Sequence, residues 1–118
     1  MAIAYLRDEL VLPATVNVAD FVLPTVVIGE LLFGAHNSGR PAKNLAYYRE
    51  FIDDLEFLML DKIAAEYFAE IRLALKQKGR PIPDNDMWIA AICRAHDVPL
   101  LTYDRHFAEV PGLVLLAA

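Results

Sequence analysis

Glu30, Asp86 and Asp104 are the side chains of this sequence best placed to do chemistry together. Glu30 interrupts the apolar run Val26-Val27-Ile28-Gly29-Glu30-Leu31-Leu32-Phe33. A carboxylate buried there without a partner would cost several kcal/mol, so it must face water, a basic group or a metal. Asp86 lies in PDNDMW, at the start of a helical pattern, and Asp104 follows the apolar run ending at Thr102 by two residues. Carboxylates gathered without His or Cys suit a hard cation such as Mg²⁺ or Mn²⁺. A centre of that kind hydrolyses phosphodiesters, because the ion neutralises phosphate charge, lowers the pKa of a water and stabilises the leaving oxygen. Each acid also has a plainer reading. Asp84 or Asp86 can cap a helix and complement its dipole, and Asp104 can be a turn residue.

The remaining polar residues make a weaker case. His36, His96 and His106 show no metal-ligand spacing and have no cysteine nearby, which argues against zinc. Cys93 falls on the apolar face of its helix and reads as core. Trp88 can pack in the core or meet a partner. Ser38 lacks the strand-turn-helix context of an activated serine, and no Gly-rich phosphate loop is present. Arg40, Lys43, Lys76, Lys78 and Arg80 could form a basic rim for RNA or be ordinary solvated surface.

Short apolar runs alternate with helical patterns and must position these groups. Phe21–Leu23 reads as a strand closed by Pro24, with Thr25 capping a helix over Val26–Ala35. After the loop His36–Pro41, Leu45, Tyr48, Ile52 and Leu55 recur at helical spacing. Phe57–Leu60 reads as a buried strand. Asp61 then caps a helix with the stripe Ile63, Ala64, Tyr67, Phe68, Ile71 and Leu75, ended by Gly79. Asp84 or Asn85 opens the next helix, followed by strands at Val98–Thr102 and Leu113–Leu116. Short continuous strands between helices predict an α/β fold, a three-layer sandwich with a mainly parallel sheet, in one domain over residues 1–118. In such sheets ligands bind beyond the carboxyl ends of the strands, where Glu30, Asp86 and Asp104 are expected to share one pocket.

Composition bounds the function. The chain has 118 residues, 57% hydrophobic and 23% charged, which excludes disorder and supports a real core. Leu10–Ala19 is its longest uncharged stretch and contains a proline, too short for a membrane helix of about 20 apolar residues. The opening MAIAYLRDE carries acids and places its charges after the apolar residues, so no secretory leader is expected. The single cysteine fits a reducing cytoplasm. The net charge of −5 rules out bulk electrostatic capture of nucleic acid, leaving a local basic patch, bridging cations or a basic partner.

The segments LPTVVIGELLFGAHNSGRP and GRPIPDNDMWIAAICRAHDVPLLTYDRHFAEVPGL together resemble the PIN-domain family, and more narrowly its VapC-type toxins of bacterial toxin–antitoxin pairs. The resemblance spans essentially the whole chain, and the ordered set of acid-bearing blocks is more specific than any single one. It implies a cytoplasmic, Mg²⁺- or Mn²⁺-dependent endoribonuclease, usually a homodimer, inhibited by a cognate antitoxin that also binds DNA. It matches the family's helix glutamate to Glu30 and its next aspartate to Asp86, with Asp84 a register rival. The later acidic position falls on Asp104 and the frequent Ser/Thr position on Thr102. The roles implied are metal ligation by Asp86 and Asp104, orientation of water by Glu30, and support of a carboxylate or water by Thr102.

One departure stands out. The family opens with a strand ending in Asp-Thr-Asn, followed by a helix, and Met1–Arg7 resembles that helix. The sheet is therefore expected to lack its central first strand, and the site one principal aspartate. Asp8 is not expected to replace it, because it would lie past the first helix. Losing about five buried apolar side chains at roughly 1.5–3 kcal/mol each would rival a whole domain's stability of about 5–15 kcal/mol. Two expectations follow: the natural product starts upstream, or a strand from a partner fills the slot. The absent aspartate also keeps a rival reading open, a catalytically impaired module that binds antitoxin or RNA without cutting. A receiver-type signalling domain is a third option, with no use for the GELLFGA block.

Overall fold

Among the described residues five short strands pair side by side into one sheet. The structure, a computed structural model, describes residues 3–5, 20–102 and 104–117. Its elements are β1 (Ile3–Tyr5), β2 (Phe21–Pro24), α1 (Thr25–His36), α2 (Pro41–Asp53), β3 (Glu56–Leu58), α3 (Lys62–Lys78), α4 (Asp84–Ala95), β4 (Leu100–Thr102) and β5 (Leu115–Ala117). The sheet order is β3-β2-β1-β4-β5, and every pairing is parallel.

The central strand is present, which corrects the expectation of a gap. β1 sits between β2 and β4, pairing Ile3 with Phe21 on one side and Tyr5 with Leu101 on the other. Ile-Ala-Tyr is a short apolar run of the kind that periodicity cannot assign to helix or strand. The slot decides, because β2 and β4 each present a row of backbone donors and acceptors that must be paired. No strand borrowed from a partner is needed, and the loss of stability attached to an empty slot does not arise. Asp8 lies outside the described residues.

The α1–α2 and α3–α4 pairs pack as units against the sheet. Buried Phe21, Leu23, Val27, Leu31, Ile71, Leu75, Ile89, Leu100 and Phe107 form the core. In α4, Met87 and every residue from Ile89 to Cys93 are buried, and Ala90 and Ala91 let the helix approach its neighbours closely. Burial pushes the Cys93 thiol up to about 12, so it stays protonated and inert, as a core residue should. Trp88 stacks on Phe68 with ring centroids 3.7 Å apart and joins α3 to α4.

Helix ends follow local chemistry. Asp61 Oδ1 accepts from the Ala64 N–H at 2.9 Å. Gly79 takes the left-handed conformation at φ 69°, with Gly79 N–H on Lys76 O and Arg80 N–H on Leu75 O closing α3. Other expectations need correction. Thr25 is the first residue of α1 and not its cap, which falls to Pro24 without a side-chain bond. The strand expected at Phe57–Leu60 is Glu56–Leu58, with Phe57 58% and Met59 61% exposed. It is an edge strand, so a continuous apolar run does not imply cover on both faces. Ile63 is likewise exposed, because the face of α3 that meets α4 is set by Ala64, Ile71 and Leu75. Among the described residues no helix is long and apolar enough to cross a membrane.

Candidate metal centre

The chain runs β1, β2, β3 toward one edge of the sheet and then β4, β5 toward the other. The switch point therefore lies between β1 and β4, where a crevice opens beyond the strands' carboxyl ends. β4 ends there at the buried Thr102. The Thr102 hydroxyl accepts from the Asp104 backbone N–H at 3.1 Å, which fixes the turn carrying the Asp104 carboxylate into that space. A short 3₁₀ turn over Arg105–Glu109 follows, pinned by fully buried Phe107.

Asp86 arrives from the other direction. Pro83 starts α4, and the Asp86 and Met87 N–H groups both donate to its carbonyl at 3.1 Å. The Asp86 side chain is 14% exposed and lies in the first helical turn, where the helix dipole favours an anion.

His106 bridges the two acids. Its Nε2 lies 2.8 Å from Asp86 Oδ2 and its Nδ1 lies 3.1 Å from Asp104 Oδ1. Asp86, Asp104 and His106 each offer one ligand atom, all within 4.8 Å of one another. A donor set of two carboxylates and an imidazole fits a divalent ion.

The expected residues thus fare differently. Asp86 and Asp104 converge, and Thr102 supports Asp104. Glu30 is placed next to them through the residue adjoining Asp86. Its Oε1 accepts a hydrogen bond from Asn85 Nδ2, so it is tied to the residue next to Asp86. Asp84, the register rival, is exposed, makes no cap bond and pairs at 3.8 Å with Arg72. His106, set aside for zinc because it lacks ligand spacing along the chain, meets Asp86 and Asp104 in three dimensions. The useful signal was His106 standing two residues after Asp104 in TYDRHF. His96 lies elsewhere, with Nε2 3.2 Å from Met59 O.

A cleft of about 300 Å³ opens beside His106, lined also by Arg80, Pro81, Ile82, Arg105 and Glu109. Of the basic rim expected from sequence, Arg80 reaches this cleft. Lys78 is engaged with Glu109 at its carbonyl (2.9 Å) and its carboxylate (3.9 Å). Arg105 was missed.

The fold and this donor set define a PIN domain, and comparison with known proteins agrees: the PIN domain family matches residues 3–113, so the chain belongs to that family. Within it the chain is of the VapC type. It is 33% identical over 98 residues to the tRNA(fMet)-specific endonuclease VapC of Shigella flexneri, covering 82% of this chain and 74% of that protein. It is also 33% identical over 105 residues to ribonuclease VapC5 of Mycobacterium tuberculosis, covering 89% and 76%. Among solved structures, DNA-bound VapBC from Salmonella typhimurium superposes with a TM-score of 0.87 at 27% identity, covering 99% of this chain and 98% of that one.

Proposed function

We propose that this chain is the toxin of a toxin–antitoxin pair, a divalent-metal-dependent endoribonuclease that hydrolyses RNA phosphodiester bonds. The observation carrying this reading is the Asp86–His106–Asp104 group at the switch point of the sheet. Asp86 and Asp104 hold Mg²⁺ or Mn²⁺. Once bound, the ion supplies charge neutralisation at phosphate, acidification of water and stabilisation of the leaving oxygen. Glu30, steadied by Asn85, orients the attacking water, and Thr102 keeps Asp104 in place. The partners are RNA, a cognate antitoxin and a second copy of the chain, in the cytoplasm. Its relatives, a tRNA(fMet)-specific endonuclease and a ribonuclease, support RNA as the substrate. The antitoxin is supported by structural neighbours that are VapBC pairs.

Cations also reconcile an acidic protein with an anionic substrate. Arg80 and Arg105 extend this by holding the RNA backbone in the cleft beside His106. In an Asp86→Asn background that binds without cutting, Arg105→Ala weakens RNA binding at low salt. It also flattens the dependence of log K on log salt by about 0.7, the value of one phosphate contact on a single strand. An unchanged slope would remove Arg105 from the interface.

The rival reading is a binding module that holds antitoxin or RNA without cutting. Incubating RNA with the protein in Mn²⁺, then in EDTA, separates the two. The nuclease cuts in Mn²⁺, stops in EDTA and recovers when Mn²⁺ is restored. Antitoxin binding without any cutting in Mn²⁺ would establish the impaired module.

A further inference from the structure

Resting on the nuclease reading above, we propose that His106 is itself a ligand of the catalytic ion, and that its nitrogen turns the site from Mg²⁺ toward Mn²⁺. Three observations carry this. Both ring nitrogens stand close to the two acids, Nε2 at 2.8 Å from Asp86 Oδ2 and Nδ1 at 3.1 Å from Asp104 Oδ1. Donors bound to one ion at about 2.1 Å stand up to about 4.2 Å apart, so a group spread within 4.8 Å closes by small side-chain adjustments. The ring is also held in place, since adjoining Phe107 is fully buried and its ring lies 4.9 Å from the imidazole.

His106 adds an imidazole nitrogen to the two carboxylates. An imidazole changes what the centre selects. Mg²⁺ takes oxygen ligands and keeps its waters, whereas first-row transition ions accept nitrogen readily. With one nitrogen on the ion, the other ring N–H is left to hold the ring through a hydrogen bond, an arrangement common around ligating histidines.

The test is direct metal binding to the whole chain, with no RNA present. Calorimetry is expected to show Mn²⁺ bound more tightly than Mg²⁺. Pulsed electron paramagnetic resonance of the bound Mn²⁺ is expected to show coupling to a ¹⁴N nucleus. His106→Ala should abolish that coupling and weaken Mn²⁺ by about 10-fold or more, with less effect on Mg²⁺. His106→Gln, which keeps a polar side chain of similar reach, should lose the coupling in the same way if the alanine variant is poorly folded. Bound Mn²⁺ without nitrogen coupling, or unchanged Mn²⁺ affinity in both variants, overturns the proposal. Asp86→Asn separates this failure from a wider one. If it releases Mn²⁺ while the histidine variants do not, the centre stands and only the role of His106 falls. If none of the variants alters Mn²⁺ binding, the centre itself is elsewhere.

Discussion

Asp86→Ala is expected to lower Mn²⁺-dependent RNA cleavage by at least about 10³-fold. The ion's stabilisation of developing charge is worth several kcal/mol, and about 4 kcal/mol corresponds to that factor. Of the two acids in the donor group Asp86 is the one to lose, because it is the more enclosed. Its side chain is 14% exposed against 56% for Asp104. A partly desolvated carboxylate in the first turn of a long buried helix is rigid and weakly screened, so neighbouring side chains cannot swing in to replace it. The fold should survive, because Asp86 contributes no core packing and the α4 backbone bonds to Pro83 remain. The measurement is cleavage of a defined RNA in Mn²⁺ by wild type and variant, beside their thermal unfolding. Equal rates would assign the cleavage to a contaminant and remove Asp86 from the chemistry.

Phe107→Ala is expected to destabilise the protein by about 3–5 kcal/mol, the usual range for deleting a buried phenylalanine ring. With total stabilities of about 5–15 kcal/mol, that is a large fraction. Phe107 is fully buried against the core, although it sits in a turn of only five residues. The ring anchors the segment that carries Asp104 and His106, so its loss also loosens the donor group. Urea unfolding measures the first effect. The second is a fall in Mn²⁺ affinity at temperatures where the variant is still folded. Phe57→Ala is the control: Phe57 is 58% exposed on the edge strand, and its removal should cost no more than about 0.5 kcal/mol. Similar losses at both positions would show that the turn is not anchored by its phenylalanine.

The two variants mark where local sequence stops informing. The strand and helix pattern around Phe21–Ala35 and Asp61–Gly79 was legible because caps, glycines and apolar spacing act within a few residues. The positions of Asp86 and Asp104 at a helix start and beyond a strand end were legible, but capping and turn roles suit acids there too, so their meeting was not. Ile3–Tyr5 was not, since three apolar residues suit either kind of element until neighbours offer hydrogen bonds. Phe57 and Met59 misled for a related reason: apolarity predicts burial only where the fold supplies cover on both faces.

By itself, then, the order of residues determined the alternation of helices and strands, the acidic side chains at their junctions and the membership in the PIN family. Those properties depend on interactions between residues close along the chain, or on the identity of single residues. Only the tertiary structure decided that Ile3–Tyr5 fills the middle of the sheet, that Glu30 meets Asn85, and that His106 joins Asp86 and Asp104. His106 and Asp86 are separated by 20 positions. Their meeting is set by how α4 and β4 pack, which no local pattern encodes.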